Sequence, residues 1–215
     1  MTELTDDEFT RLYGEWAGHT PTDAAAFFAE YQGTWWVAGG WSIEAFTGVT
    51  RPHDDIDISM LSAELPQLRR FLAGRLDAWM ASSGTLTPLL ADDRPDAPAN
   101  ELLPEGGSQL WTRADAASAW EFDILLSPGD EHTWVYKRDP TMRMPMSDAV
   151  WSRDGVRYLR PEIQMLYKAR GDRAKDRADL RAVVPLLEPA RHSWLIDGLT
   201  RADPQHPWLA MLEQP

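Results

Sequence analysis

The sequence predicts an α+β fold in which helices flank a mixed β-sheet and a helical region follows at the C-terminus. Helical patterns open the chain, β-prone segments dominate its middle, and helical patterns return after residue 160. The 215 residues, 43% of them hydrophobic, suffice to bury a sizeable core. We therefore expect a main domain over residues 1–160 and a helical region over residues 161–215 packed on it.

The N-terminal part begins with two predicted helices and a strand. Thr5 and Glu8 fit a capping box for the first helix, and a second helix is expected to begin at Thr22. The residues Thr34–Ala38 favour a buried β-strand, because tryptophan and valine suit a pleated surface. The two glycines that follow predict a tight turn.

The next segments are predicted to alternate between helix and strand, and a long segment without regular hydrophobic spacing follows them. A short helix is expected over Ser42–Phe46, a second strand over Ile56–Met60, and a leucine-striped helix over Ser62–Trp79. The segment Ser82–Ser108 is rich in Pro, Asp, Ala and Gly, which predicts a loop with one short strand around Leu86–Leu90. A loop this long in a compact domain indicates either mobility or function.

The second half of the chain contains three more strand candidates, a hairpin and the C-terminal helices. The strand candidates are Gln109–Arg113, Trp120–Leu126 and Thr133–Lys137, and the hairpin covers Ala149–Leu159. Pro161 suits the first position of a helix because the proline ring already fixes a helical φ. The remaining residues predict helices that break near Gly171, Pro189 and Pro204.

The composition narrows the classes of partner. The chain carries 34 acidic against 21 basic residues, a net charge of −13, so we expect no general nucleic-acid partner. An acidic surface attracts cationic small molecules, although it also serves solubility alone. Without cysteine, disulfides and thiolate metal sites are excluded. Neither a signal-peptide pattern nor a membrane-spanning run is evident, so we expect a cytoplasmic protein with no membrane partner.

Two carboxylates stand out in the second predicted strand. Because side chains alternate along a strand, Ile56 and Ile58 can face the core while Asp55 and Asp57 both face the other way. Carboxylate oxygens are the ligands that Mg²⁺ prefers. An Asp-x-Asp pair also occurs on many solvated strand edges, so the pair by itself does not establish a metal site.

The residues just upstream strengthen the metal interpretation. Gly39 and Gly40 let the backbone approach a ligand closely, and the amides at the start of the following helix favour phosphate. A phosphate site beside paired carboxylates is what metal-assisted phosphoryl transfer requires. A simple turn is the alternative explanation for the glycines alone.

A third carboxylate is available on a later strand. Asp123 lies among apolar residues, where burial disfavours the charged form of an acid unless a cation is near. Asp123 is therefore the candidate general base, and Glu121, which shares its strand face, is the alternative. A structural salt bridge would explain either acid equally well.

Several cationic residues are candidates for phosphate contacts. Lys168 and Lys175, two of only three lysines, would share a face if one helix ran through both, although Gly171 between them can break it. Arg51 is a phosphate candidate because its charge is permanent. His53 either contacts a phosphate or orients the turn before the strand. Ordinary surface positions would account for the lysines without any function.

Two blocks of sequence resemble a known family. The first resembles the core motif of the aminoglycoside and lincosamide nucleotidyltransferases, a branch of the DNA polymerase beta-like nucleotidyltransferase superfamily: WVAGGWSIEAFTGVTRPHDDIDI. The second is similar to a later block of related proteins and includes Lys168, Lys175 and Asp176: YLRPEIQMLYKARGDRAKDRADL. The resemblance implies a nucleotidyltransferase fold, with residues 1–160 as its catalytic domain.

The resemblance also implies roles for individual residues. It implies that Asp55 and Asp57 bind Mg²⁺ and that Asp123 is the general base and can also contact metal. It implies that Gly39, Gly40 and the turn after them hold the nucleotide phosphates. Two positions depart from the branch. A phosphate-binding hydroxyl at Ser42 follows only by analogy with Gly-Ser relatives, and Glu44 stands where an aspartate is common.

These observations predict transfer of a nucleoside monophosphate, most simply AMP from ATP or another nucleoside triphosphate, to a hydroxyl of a small molecule. Mg²⁺ would be the cofactor, and the acidic composition fits a cationic acceptor such as an aminoglycoside. One alternative is a toxin-like nucleotidyltransferase that modifies tRNA or protein. Another is a nucleotide-binding module that has lost its chemistry.

Overall fold

A computed structural model of the protein describes residues 5–90, 103 and 107–212. Ten strands lie within these residues: β1 (Trp35–Val37), β2 (Asp57–Leu61), β3 (Asp77–Ser82), β4 (Thr85–Pro88), β5 (Gln109–Arg113), β6 (Phe122–Ser127), β7 (Thr133–Val135), β8 (Arg143–Pro145), β9 (Val150–Arg153) and β10 (Val156–Leu159). Eight of them form one sheet in the order β4-β3-β5-β6-β2-β1-β10-β9, and β7 pairs with β8.

Nine α-helices lie within the described residues, some before the first strand, some between strands and some after the last strand. They are α1 (Asp6–Tyr13), α2 (Pro21–Phe27), α3 (Gly39–Thr47), α4 (Leu65–Leu72), α5 (Met146–Ala149), α6 (Pro161–Ala169), α7 (Ala174–Val183), α8 (Pro189–Ala202) and α9 (Pro207–Leu212). The predicted α+β class, with a mixed sheet and a helical C-terminal region, is confirmed. The division into domains at residue 160 stays a prediction.

The strand pairing of the large sheet brings distant parts of the chain together. Strand β2 pairs in parallel with β6, and β1 pairs in parallel with β10, whereas the other neighbours are antiparallel. In the β2–β6 pair, Asp57 lies directly opposite Asp123. The register therefore places two of the predicted site residues side by side.

Both faces of the large sheet carry a hydrophobic core. Ile58 and Ile124 point to one face, where they join a buried cluster that includes Phe28 and Leu68 from the preceding helices. Residues of the opposite face, such as Leu61, join a second cluster to which α6, α8 and α9 contribute. Because strand side chains alternate, Asp57 and Asp123 lie on this second face, beneath the C-terminal helices.

The predicted helix over Ser62–Trp79 is wrong beyond Leu72. Helix α4 ends there, and Gly74 adopts a φ of +73°, in the left-handed region that glycine enters without strain. Strand β3 then begins at Asp77. Leu76 is still buried, so the leucine stripe marked core positions correctly while the backbone changed from helix to strand.

The predicted tight turn at the glycine pair is also corrected. Helix α3 begins at Gly39 instead of Ser42, so the glycines form its first turn. Ala38, the residue before the helix, is extended and its carbonyl oxygen accepts a bond from the Ser42 amide at 3.3 Å. The helix ends near Gly48, as expected, with that glycine in the left-handed conformation.

Most other predicted elements are confirmed within a few residues. The capping box of Thr5 and Glu8 starts α1, Pro161 is the first residue of α6, and β9 and β10 form the predicted hairpin. The second helix begins at Pro21, and β4 lies close to the strand expected around Leu86–Leu90. Strand β8 and helix α5 were not predicted. Much of the predicted loop, residues 91–102 and 104–106, lies outside the described residues.

No helix within the described ranges is both long enough and apolar enough to cross a membrane.

Candidate active site

Three carboxylates converge at the start of β2. Asp55, Asp57 and Asp123 each offer one oxygen, and these oxygens lie within 4.8 Å of one another. The parallel register sets Asp57 against Asp123, and Asp55 lies two residues earlier, just before the strand begins. The structure thus brings the three predicted aspartates together.

The electrostatics of this cluster favour the binding of a cation. Burial, followed by repulsion from Asp55, raises the pKa of Asp57 to about 7. Burial, followed by the charge of Asp57, raises the pKa of Asp123 well above its usual range. The pKa of Asp55 is raised mainly by burial as well. A cation at this point would relieve the repulsion, and three converging carboxylates suit Mg²⁺.

The neighbours of Asp123 separate it from the alternative acid. The side-chain amide of Gln109 donates to both carboxylate oxygens of Asp123, at 2.9 and 2.7 Å. Glu121 instead lies 3.1 Å from the imidazole Nε2 of His19 and does not join the carboxylate cluster. The salt-bridge explanation therefore applies to Glu121, whereas Asp123 belongs to the candidate site.

Gly39 touches the carboxylate cluster through its backbone. A Cβ at this position would lie 1.7 Å from Oδ2 of Asp57, and the φ of Gly39 is +63°, so only glycine fits. Its amide donates to Oε1 of Gln164 at 2.8 Å. A Cβ at Gly40 would lie 2.3 Å from Nη2 of Arg51. The glycine pair therefore allows the first turn of α3 to pack closely against Asp57 and Arg51.

The hydroxyl of Ser42 is occupied within the helix. Ser42 is fully buried, and its Oγ donates to the carbonyl oxygen of Gly39 at 3.0 Å. This bond helps to fix the first turn of α3. The phosphate contact that analogy suggests for Ser42 stays a prediction.

Arg51 and His53 are held by protein partners in the segment before the aspartates. The Nε and Nη2 atoms of Arg51 donate to the two carboxylate oxygens of Asp179, at 3.2 and 3.3 Å. Nε2 of His53 lies 2.8 Å from Oε2 of Glu44, and its ring stacks on Trp41 with centroids 4.1 Å apart. Glu44, whose role the sequence left open, therefore positions His53.

The two lysines occupy different helices, because α6 ends at Ala169 before α7 begins. The predicted break near Gly171 separates them, so the two lysines do not share the face of a single helix. Lys168 is buried, and its Nζ lies 3.2 Å from Asp176 and 3.1 Å from Asp179. Lys175 is half exposed, with its Nζ 3.9 Å from Asp54. Neither geometry tests the predicted phosphate contacts, but the Lys168 charge is already neutralised by two acids.

A cavity of about 450 Å³ adjoins the carboxylate cluster. Gln109 and Gln164, the partners of Asp123 and Gly39, both line it. Sequence reasoning missed these glutamines and also missed Lys137, Arg138 and Arg170 on the same wall. Gln164 had one detectable signal, since it is a polar residue between the apolar Ile163 and Met165.

Comparisons with known proteins agree with this arrangement. The model of the aminoglycoside-2''-adenylyltransferase family matches residues 23–77, which contain the glycine pair and two of the three aspartates. The matched residues contain the whole of the first sequence block, residues 36–58. A comparison with curated protein sequences finds no match.

Three solved structures share this nucleotidyltransferase-like fold. The lincosamide antibiotic adenylyltransferase LnuA, with lincomycin bound, has 15% identity and a TM-score of 0.50, covering 77% of this chain and 95% of that chain. A solution structure of the antibiotic-resistance factor ANT(2'')-Ia has 17% identity and a TM-score of 0.52, covering 88% and 91%. A crystal structure of ANT(2'')-Ia with adenylyl-2''-tobramycin has 16% identity and a TM-score of 0.52, covering 82% and 93%.

Proposed function

We propose that the protein is a Mg²⁺-dependent nucleotidyltransferase that moves a nucleoside monophosphate, most simply AMP from ATP, to a hydroxyl of a small molecule. The observation that carries this proposal is the convergence of Asp55, Asp57 and Asp123 against the backbone of Gly39. Three acids with raised pKa values beside a glycine-led helix form a site for a cation and a phosphate together.

The similar structures support an antibiotic as the acceptor. One is a lincosamide adenylyltransferase with lincomycin bound, and another is an antibiotic-resistance factor in complex with an adenylylated tobramycin. Both antibiotics are small and hydroxylated. The net charge of −13 further favours a cationic acceptor of the aminoglycoside type. Because the reaction consumes ATP, we place the protein in the cytoplasm.

The residues of the site suggest how the transfer proceeds. Asp123, oriented by the two bonds from Gln109, accepts the proton of the acceptor hydroxyl. The acceptor oxygen then bonds to the α-phosphorus as the bond to the β-phosphate oxygen breaks, and pyrophosphate leaves. Mg²⁺, held by Asp55, Asp57 and Asp123, would neutralise charge on the phosphates. Gly39, which has no side chain, leaves room for the Asp57 carboxylate to pack against the start of α3.

Two other functions receive less support. A toxin-like enzyme acting on tRNA would need a basic surface, whereas this chain is strongly acidic. A module without chemistry would have no reason to retain three acids, one buried and two half-buried, that repel one another.

The reaction can be tested by incubating the protein with α-labelled ATP, Mg²⁺ and a panel of aminoglycosides, lincosamides, tRNA and bulk protein. We expect label on one class of small molecule. Label on tRNA or protein would support the toxin-like alternative. ATP binding without any transfer would support the inactive module.

Asp57→Asn tests the carboxylate cluster directly. The change keeps the shape of the side chain and removes its charge, so we expect transfer to fall by more than about a hundredfold. The matched control is Asp54→Asn, since Asp54 is an exposed neighbour outside the cluster. Near-normal transfer in Asp57→Asn, with a folded protein by circular dichroism, would contradict the proposal.

A further inference from the structure

We propose that Lys137, Arg138 and Arg170 bind the β- and γ-phosphates of the nucleotide and hold them as pyrophosphate leaves. This inference rests on the proposed function and identifies the residues that receive its leaving group. It differs from the sequence prediction, which named Lys168 and Lys175 as candidates for phosphate contacts.

The position of these cations fits a triphosphate that starts at the carboxylate cluster. They line the 450 Å³ cavity, whose wall also includes Ala38, the residue before the helix start, and Gln109. Gln109 bonds to Asp123, so one end of the cavity borders the acids. An α-phosphate at the acids would therefore direct the rest of the chain of phosphates into this space.

The charge of the cavity is opposite to that of the whole chain. Its lining contains three cations and no aspartate or glutamate among the described residues. Elsewhere in the C-terminal half, cations such as Lys168 and Arg191 are paired with acids. A protein of net charge −13 thus keeps one concave surface positive, which fits a polyanionic ligand.

The hydrogen bonds that these cations form within the protein go to neutral oxygens, so their positive charges are not neutralised by a described acid. Arg138 donates to the backbone carbonyl of Tyr167 at 3.0 Å, and Lys137 donates to the hydroxyl of Ser108. The backbone amide of Arg170 donates to the carbonyl oxygen of Lys168, but its guanidinium forms no hydrogen bond or ion pair with any residue that the structure describes. Burial and the neighbouring Arg138 lower the pKa of Lys137, and a bound phosphate would counter this effect.

The geometry also selects the side on which the anion binds. Arg138 and Arg170 line a second, adjoining cavity of about 830 Å³ as well. That cavity additionally presents Asp139, Asp172 and Asp203 and one further arginine, Arg201, so its three aspartates balance its three arginines. The acid-free cavity beside the catalytic carboxylates is therefore the favourable location for pyrophosphate.

Arg170→Gln is the sharpest test, because no described contact of the fold depends on this side chain. Isothermal titration with Mg²⁺-pyrophosphate should show binding that is weaker by about fivefold to tenfold. Arg170→Lys should retain much of the affinity, and Arg170→Glu should lose more than the glutamine variant. The matched control is Arg181→Gln, an exposed arginine of α7 outside both cavities, which should bind like the original protein.

The outcomes separate this inference from the proposed function. If the unaltered protein binds Mg²⁺-ATP and pyrophosphate, but Arg170→Gln and Lys137→Gln bind both as tightly, the assignment of these cations is wrong while the transferase proposal stands. If the variants lose affinity for the acceptor but not for pyrophosphate, the assignment is wrong as well. If the unaltered protein binds neither nucleotide nor pyrophosphate, the proposed function itself fails.

Discussion

Gly39 is the residue at which backbone geometry most directly limits the chemistry. Its φ is +63°, and an added Cβ would lie only 1.7 Å from Oδ2 of Asp57, so there is no room for a methyl group. We expect Gly39→Ala to displace the Asp57 carboxylate and to lower transfer by more than about a hundredfold. Transfer kinetics and Mg²⁺ titration would measure the two effects.

Gly48→Ala is the control for this substitution. Gly48 also has a positive φ, but nothing lies within 4 Å of an added carbon. Its replacement should cost about 1 kcal/mol of unfolding free energy and leave transfer nearly unchanged. Equal loss of activity in both variants would show that backbone strain, and not contact with Asp57, is responsible.

The raised pKa of Asp57 makes metal binding and stability depend on pH. Its pKa rises from an ordinary 3.8 to about 7 on folding without metal. The favourable contribution of its protonated form is therefore complete below pH 3.8 and is lost as the pH rises through 7. Relative to Asp57→Asn, the metal-free protein should lose stability from about pH 4 to about pH 7 and change little above that.

Mg²⁺ should reverse this trend, because protons compete with the metal for the same carboxylates. We expect the affinity for Mg²⁺ to increase from about pH 6 to about pH 8, and thermal unfolding with and without Mg²⁺ would measure both effects. A pH-independent affinity over this range would mean that the cluster does not bind the ion.

The clustering of the three aspartates was predictable from sequence, whereas the partners of the neighbouring charged residues were not. The Asp-x-Asp spacing on a strand and the apolar neighbours of Asp123 identify the three acids. The pairing of Glu121 with His19, and of Lys168 with Asp179, joins residues that are not neighbours in sequence. Local patterns carry no information about such contacts, so the lysine prediction did not anticipate burial.

Helix α7 connects the C-terminal region to the segment that leads into the carboxylate cluster. Its Asp179 accepts two bonds from Arg51 and lies 3.1 Å from Nζ of Lys168. One carboxylate thus neutralises a partly buried guanidinium and a buried ammonium group at once. This connection fixes the position of α7 against the residues that precede Asp55.

Asp179→Asn should leave Lys168 and Arg51 incompletely neutralised. We expect a loss of about 3 kcal/mol in unfolding free energy, measured by chemical denaturation, because Arg51 loses its carboxylate and the buried Lys168 loses one of its two acids. Transfer by the folded fraction should fall by more than about tenfold, because the segment before Asp55 loses the Arg51–Asp179 contact that holds it against α7. Glu30→Gln, in the exposed pair with Arg75, should change little.

The elements themselves were predicted well where hydrophobic periodicity and turn chemistry agreed. Helix α1 and the β9–β10 hairpin satisfy both criteria. The stretch from Leu65 to Trp79 does not, because its leucines continue a helical spacing past Gly74 as far as Leu76, the residue before strand β3. Over a few residues, buried positions can fit both the hydrophobic spacing of a helix and that of a strand. Here the left-handed conformation of Gly74 ends the helix.

The molecule as a whole combines a negative surface with a positive cavity beside the site. A polycationic acceptor is attracted by the net charge of −13, whereas the cationic cavity attracts the nucleotide. The two substrates would then approach the carboxylate cluster from surfaces of opposite charge. The three cavity cations come from the segment after β7 and the end of α6, which no sequence motif links.

This charge distribution predicts how the acceptor step depends on salt. For an aminoglycoside acceptor, kcat/KM should fall several-fold between about 50 mM and about 500 mM KCl, because salt screens long-range attraction. An acceptor of low charge, such as a lincosamide, should show much less change in the same assay. Equal salt dependence for both acceptors would mean that surface charge does not guide the acceptor.

The parallel register of β2 and β6 has a consequence for folding. Strands β3, β4 and β5 lie between β2 and β6 in the chain, so the pairing of β6 with β2 closes a long loop. Until it forms, Asp57 and Asp123 are on separate segments and no three-carboxylate cluster exists. The ability to bind Mg²⁺ should therefore emerge late during refolding, and a metal-sensitive probe would report the moment at which the sheet is complete.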